Sequence, residues 1–224
     1  MSHPKNILIA GSSGMIGNHL LQICLGSKEI NKIYLLSRKS TCPANSKIQE
    51  IIITDFLNYS TLASINEKID VVFFCIGVYT GAVKKNIFKQ ITVDYPTALG
   101  IETFSRWPSS KFILLSGAGA DRSEKSKLMF AKYKGQAENQ LYQIFNSNFH
   151  SARPGYIYPV VKRKEPNFMY SVYRIVYPLI KCLGKKYSIT SVELAKSIFV
   201  LGMRQHHQST FENDELIALS TEVK

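Results

Sequence analysis

The sequence predicts a doubly wound α/β fold built on a parallel sheet. Three observations carry this. Short apolar runs without polar alternation recur along the first two thirds of the chain, helical patterns separate them, and a glycine-rich turn joins the first run to the first helix. Strands covered on both faces read as continuous Ile/Val/Leu runs, and repeated strand–helix–strand order makes the strands parallel.

Taken in order, Asn6–Ala10 is the first strand-like run and Met15–Leu25 has the apolar spacing of a helix. Lys32–Leu36, Glu50–Thr54 and Val71–Ile76 read as strands. Asn86–Phe104 is a long helical pattern, ended by Trp107-Pro108, and Lys111–Leu115 is the fifth strand. Lys125–Phe145 reads as helix and Phe149–Arg153 as strand. After Pro154 the pattern becomes irregular. Phe168–Leu183 is amphipathic and broken at Pro178, Ser191–Arg204 reads as helix, and Leu216–Leu219 as strand. The expectation is a single domain over 1–224, with 156–224 a substrate-side cap over the carboxyl edge of the sheet, where ligands bind in such folds.

Composition narrows the class. The 224 residues are 45% hydrophobic and 20% charged, which excludes a disordered or collagen-like chain. No run reaches the roughly 18 apolar residues of a spanning helix, and Met1–Asn6 shows no secretory leader pattern. Cys24, Cys42, Cys75 and Cys182 include no CxxC pair, so neither disulfides nor a zinc site are expected, and the isolated histidines suggest no metal. A reducing, cytoplasmic setting is the expectation.

The net charge is +12, which favours polyanionic partners. Half of it lies in 162–186, where seven Lys and Arg side chains face only Glu165. Tyr170, Tyr173, Tyr177 and the neighbouring Tyr187 interleave with these charges, so a cap helix and weak peripheral contact with an anionic membrane are both open. A nucleic-acid partner is disfavoured, because no helix-turn-helix or RNA-binding signature accompanies the charge.

Gly11-Ser12-Ser13-Gly14-Met15-Ile16-Gly17 is G-x-x-G-x-x-G, directly after the first strand and opening the first helix. Gly11 permits the tight turn, Gly14 the approach of backbone to a pyrophosphate, and Gly17 close packing of helix on strand. The phosphates then meet backbone N–H groups and the positive end of the helix dipole. NAD sites commonly carry an acid at the end of the second strand, for the ribose 2′-hydroxyl. Here the strand ends Leu36-Ser37-Arg38-Lys39, a cluster suited to a 2′-phosphate. NADP(H) is the expected cofactor.

With Asp55-Phe56, Cys75-Ile76-Gly77, Leu114-Leu115-Ser116, Gly119-Ala120-Asp121, Tyr133-Lys134-Gly135-Gln136-Ala137-Glu138 and Arg153-Pro154-Gly155, the chain resembles the atypical short-chain dehydrogenase/reductases. Within them it is most similar to the HIV-Tat-interacting-protein-like oxidoreductases, over about residues 5–200. The resemblance implies a Rossmann-like domain. It implies that Gly11, Ser13, Met15 and Ile16 cradle the pyrophosphate and Ser37, Arg38 and Lys39 the 2′-phosphate. Asp55 and Phe56 would border the adenine, and Cys75, Ile76 and Gly77 would lie under the adjoining ribose. Ser116 and Lys134 match the catalytic serine and lysine, with Lys134 on the nicotinamide ribose. Pro154, Gly155, Tyr156 and Ile157 would flank the nicotinamide.

One departure bears on chemistry. These reductases use Tyr-x-x-x-Lys, in which the tyrosine protonates the substrate oxygen. Four residues before Lys134 stands Phe130, which has no proton to give. Tyr133 points about 100° round the helix. Three readings stay open. In the first, NADPH reduces a small quinone, flavin or carbonyl, with the proton drawn from water, Tyr79, Tyr156 or the substrate. In the second, the protein binds NADPH without turnover and signals to a protein partner. The third keeps an ordinary carbonyl reductase with Tyr133 as the acid. Oligomeric state is left open.

Overall fold

The computed structural model describes residues 3–40, 45–161 and 187–223. The amphipathic segment 168–183 and the basic stretch 162–186 lie outside the described residues.

The first half runs β1 (Lys5–Ala10), α1 (Met15–Gly26), β2 (Ile30–Ser37), β3 (Ile48–Ile52), β4 (Val71–Phe74), α2 (Lys85–Lys89), α3 (Tyr95–Arg106) and β5 (Lys111–Leu115). The second runs α4 (Met129–Phe145), β6 (Phe149–Arg153), β7 (Tyr156–Tyr158), β8 (Ser188–Thr190), α5 (Ser191–Met203), β9 (Thr210–Glu212) and α6 (Asn213–Ser220). Seven strands form one sheet in the order β3-β2-β1-β4-β5-β6-β9. Every pairing in it is parallel. This is the doubly wound α/β fold that the apolar runs predict. The strand order reverses between β1 and β4, which opens the crevice where such folds bind ligands.

Alternation along each strand sorts side chains into two layers. Ile7, Ile9, Ile33 and Leu35 join Leu20, Cys24, Leu194 and Ile198 on the α1–α5 face. Leu8, Tyr34, Leu36 and Phe74 join Leu99, Leu141 and Phe145 on the α3–α4 face. Trp107 closes α3 and is buried in this second layer.

Several boundaries differ from expectation. β3 lies two residues earlier than Glu50–Thr54, and β4 stops at Phe74. α4 begins at Met129 rather than Lys125, because the Asp121 carboxylate accepts the N–H groups of Ser123 (2.9 Å) and Ser126 (2.8 Å) and folds that segment as a loop. The long helix between β4 and β5 contains a π-helical turn over Gln90–Asp94.

The C-terminal third is corrected more deeply. Leu216–Leu219, expected as strand, is helical in α6, which opens with a capping box between Glu212 and Glu215. A short apolar run does not by itself separate strand from buried helix. Residues 191–220, expected as part of a cap, complete the core instead. α5 opens with a Thr190–Glu193 capping box and presses so closely on the sheet that a Cβ on Gly202 would stand 2.5 Å from the Phe73 ring. β9 extends the sheet beyond β6. His206 and His207 lie between α5 and β9, and His206 packs on His150 and Phe211.

Candidate functional site

The glycine turn between β1 and α1 is built as its spacing requires. Gly11 has φ +92°, and a Cβ there would stand 2.9 Å from the Cys75 and Ile76 backbone. A Cβ on Gly17 would stand 2.1 Å from the Gly11 carbonyl oxygen, so only glycine lets the helix come this near the strand. No side chain caps α1 and its first turn holds no acid, so the N–H groups and dipole of its amino end face the turn. Ile16 is buried in the core and Met15 packs against it, and neither lines the cleft beside the turn.

A cleft of about 810 Å³ opens beside the turn, at the carboxyl ends of β1, β2 and β4. Gly11, Ser13 and Gly14 line one part of it, Ser37, Arg38 and Lys39 another, Asp55 and Phe56 a third, and Cys75, Ile76 and Gly77 the floor. Four segments far apart in sequence thus meet on one cavity. Phe56 is held by Tyr59 (ring centroids 6.1 Å apart) and Tyr95 (5.6 Å). Leu36, Thr54, Val78, Ile91 and Tyr95 also line the cleft and were not singled out from sequence. Ile91 sits in the π-helical turn, a device often found at functional sites. Glu50 was also missed. Its carboxylate accepts from Ser40 (2.5 Å) and lies 3.5 Å from the Ser37 hydroxyl. The residues present thus fit a dinucleotide, with a glycine cradle at the phosphates and cations at the β2 end.

Ser116 and Lys134 lie one strand further along the edge, at the end of β5 and on α4. Ser116 is buried and donates to Glu138 Oε1 at 2.5 Å. Lys134 Nζ donates to the Leu115 carbonyl at 3.0 Å. Burial lowers the Lys134 pKa to about 8 against the pull of Glu138 and Cys75, which raise it. Burial also pushes the Cys75 thiol up to about 12, so it stands as a neutral group. Lys134 is thus anchored to the residue that precedes Ser116, and neither Ser116 nor Lys134 lines the 810 Å³ cleft.

Phe130 takes the place expected of a tyrosine, since a Cβ on Gly117 would meet its Cζ at 2.6 Å. Tyr133, expected as an alternative acid, packs instead on Phe88 of α2, with ring centroids 6.3 Å apart. One residue of helix advance turns it to that side, as the 100° step requires.

Pro154, Gly155, Tyr156 and Ile157 follow β6 and do not line the 810 Å³ cleft. Their loop is pinned from two sides. The Ala118 N–H donates to the Pro154 carbonyl at 2.9 Å, and the Gly155 N–H to Asn213 Oδ1 at 2.7 Å. Asn213 in turn donates to the Ser188 carbonyl at 3.0 Å. Tyr156 and Ile157 enter β7, which pairs with β8.

Sequence reading assigned a role to Ser116 but none to Glu138, Arg153 or Glu212. Glu138 is fully buried and pairs bidentately with Arg153, Nε to Oε1 at 3.0 Å and Nη2 to Oε2 at 2.5 Å. Arg153 also reaches Glu212 at 3.0 Å. The available signal was spacing, because Glu138 stands one helical turn after Lys134 and shares its face. Removing one member of such a buried pair typically costs about 3–5 kcal/mol.

The sequence profile of the NAD dependent epimerase/dehydratase family matches residues 7–118, half of the chain. The chain belongs to that family. Among curated relatives, it is 25% identical over 158 residues to the protein fmp52, mitochondrial, of Aspergillus niger. That alignment covers 68% of this chain and 66% of the relative, slightly under two thirds of the relative's own length. Among solved structures, it is similar to a thiolation-reductase di-domain from an archaeal non-ribosomal peptide synthetase, with TM-score 0.73 and 17% identity, covering 94% of this chain and 71% of that one. It is also similar to Gre2 of Candida albicans in complex with NADPH, with TM-score 0.66 and 11% identity, covering 93% and 78%. At these identities the two structures speak to the fold. The curated relatives are named mitochondrial, which overturns the cytoplasmic expectation. Thiol usage indicated a reducing setting and carried no address.

Proposed function

We propose that this chain binds NADP(H) in the cleft between β1, β2 and β4 and uses it to reduce a small organic acceptor, a quinone, flavin or carbonyl. The observation that carries the reading is the end of β2. Ser37, Arg38 and Lys39 line the cleft together with the glycine turn, so a dinucleotide phosphate chain and a 2′-phosphate meet complementary groups in one cavity. Membership of the NAD dependent epimerase/dehydratase family and the NADPH named in the Gre2 structure support a nicotinamide cofactor. The motif resemblance to the HIV-Tat-interacting-protein-like oxidoreductases supports the phosphate form.

In this reading the α1 amino end and the Gly11–Gly17 backbone hold the pyrophosphate, and Arg38 takes the 2′-phosphate with Ser37 and Lys39 beside it. Phe56 and Asp55 border the adenine, and Cys75, Ile76 and Gly77 lie under the ribose. Lys134 holds the second ribose, Pro154, Gly155, Tyr156 and Ile157 flank the nicotinamide, and Ser116 meets the substrate. When bound, the cofactor supplies hydride. Phe130 supplies no proton, so the acceptors favoured are those that draw theirs from water, from Tyr79 or Tyr156, or from their own groups. The names of the relatives support a mitochondrial setting. Weak contact with an anionic membrane through 162–186 is part of the proposal, supported by its charge.

Titration calorimetry with NADPH and NADH, repeated on Arg38→Ala, tests the reading. NADPH should bind at least tenfold more tightly than NADH, and Arg38→Ala should erase that preference while leaving NADH unchanged. Failure to bind either nucleotide overturns it.

Phe130 also favours a second reading, an NADPH-binding sensor without turnover that signals to a protein partner. NADPH binding with no oxidation across quinones, flavins and aldehydes, together with partner affinity that changes on NADPH addition, would select it.

A further inference from the structure

The end of β2 carries cations suited to a phosphate, yet an acid stands beside them. Glu50 belongs to β3, the edge strand of the sheet, which runs parallel to β2 with Leu35 opposite Glu50 and Ser37 opposite Ile52. Paired residues and residues two apart share a face, so Glu50 stands diagonal to Ser37 on one side of the sheet, while Ile51 is buried on the other. The Glu50 carboxylate accepts from the Ser40 hydroxyl at 2.5 Å and from the Ser37 hydroxyl at 3.5 Å. An ionised carboxylate only accepts and a serine has one proton, so both serine protons point to Glu50. Ser37 lines the cleft and therefore offers it lone pairs. Arg38 and Lys39 line the same part of the cleft and make no ion pair among the described residues, so their charge is left for a ligand.

We infer that Glu50 is a specificity-determining residue, which turns Ser37 into an acceptor for a ribose 2′-hydroxyl and opposes the phosphate that Arg38 and Lys39 attract, so that the cleft takes NADH as well as NADPH. This role presupposes that the cleft holds a nicotinamide dinucleotide, as proposed. The two sets of groups suit different ligands. A 2′-phosphate calls for donors and positive charge, which Arg38 and Lys39 supply. A 2′-hydroxyl is itself a donor, and the Ser37 oxygen accepts from it. A like charge set against one ligand discriminates as strongly as a contact made to the other, and Glu50 is that charge for a phosphate placed at Ser37. NAD sites commonly carry their acid at the end of the second strand itself. Here β3 supplies one through its register with β2, while the second strand keeps its cations.

The test is titration calorimetry of the full chain with NADPH and with NADH at one ionic strength, on the wild-type protein, Glu50→Gln and Ser37→Ala. Wild-type protein should bind both nucleotides. Glu50→Gln should raise the ratio of NADPH to NADH affinity about tenfold, chiefly by tightening NADPH, because the repelling charge is gone and the Ser37 proton is released toward the phosphate. Ser37→Ala should raise the same ratio about threefold, because NADH loses its acceptor. An unmoved ratio in a Glu50→Gln protein with native circular dichroism overturns the role of Glu50. A lowered ratio in Ser37→Ala overturns it too, since Ser37 would then be a donor to the phosphate, and this arm decides alone if Glu50→Gln does not fold. Wild-type binding of NADPH with none of NADH likewise overturns it. These three results leave the cofactor reading standing, whereas a wild-type protein that binds neither nucleotide overturns both.

Discussion

Phe130 lies against Gly117, so closely that a Cβ at 117 would stand 2.6 Å from the phenyl Cζ. Gly117 directly follows Ser116, so the ring lies beside the serine, four residues before Lys134 on α4. Space for a tyrosine ring is present and only its hydroxyl is missing. Phe130→Tyr is expected to raise NADPH-dependent reduction of aldehydes and ketones by about 10²-fold, the lower range for a general acid. Steady-state rates between pH 6 and 9 check this. No gain at any of these pH values would mean that the surroundings no longer direct that position at a substrate.

The contact between Gly17 and the Gly11 carbonyl makes a second prediction. A Cβ at 17 would stand 2.1 Å from that oxygen, so Gly17→Ala must push α1 off β1. Overpacking of this kind costs about 1–3 kcal/mol. Urea unfolding should show that loss, and calorimetry should show NADPH affinity falling at least tenfold. Unchanged affinity with unchanged stability would refute the close approach.

Lys134 predicts a rise of stability with pH. Its folded pKa, near 8, lies below the ordinary 10.5, so between these values the unfolded chain holds more protons than the folded one. Stability then increases as pH climbs through that window. Lys134→Met should remove this part of the rise. Denaturant midpoints at pH 7.5, 9 and 10.5 compare the two proteins, and parallel curves would contradict the assignment.

His150 predicts the acid side. It is 1% exposed, its Nδ1 lies 3.0 Å from the Gln208 carbonyl, and burial, with Lys111 and His206 assisting, lowers its pKa to about 4. The unfolded chain takes up the proton near the ordinary 6.5, while the folded chain resists it. Stability present above that value is lost as pH falls toward 4. His150→Leu should flatten this limb of the denaturation profile. An equally steep limb in the variant would place the acid sensitivity elsewhere.

Much of the architecture was legible from local pattern. The NILIA run, the unalternated strands and the glycine turn specify β1, α1 and a parallel sheet through short-range sterics and covered faces, which repeat in the sequence itself. The Ser37–Lys39 cluster is likewise local, whereas the Glu50 carboxylate beside Ser37 and Ser40 is brought there by the neighbouring strand. Phe130 is visible by counting back from Lys134.

Tertiary structure alone decided the rest. Leu216–Leu219 became helix because Glu212 and Glu215 cap that segment and the core offers it a helical seat, whereas the sheet position went to Thr210–Glu212. Tyr133 was turned to Phe88 by its place on α4. Glu138, Arg153 and Glu212 are separated by 15 and 59 positions, and no local rule joins charges so distant. They meet because β6 lies between β5 and β9, and a buried carboxylate must find its counter-charge wherever the fold brings one. Local sterics and periodicity are written along the chain, while the pairing of buried charges is settled only when the strands take their order.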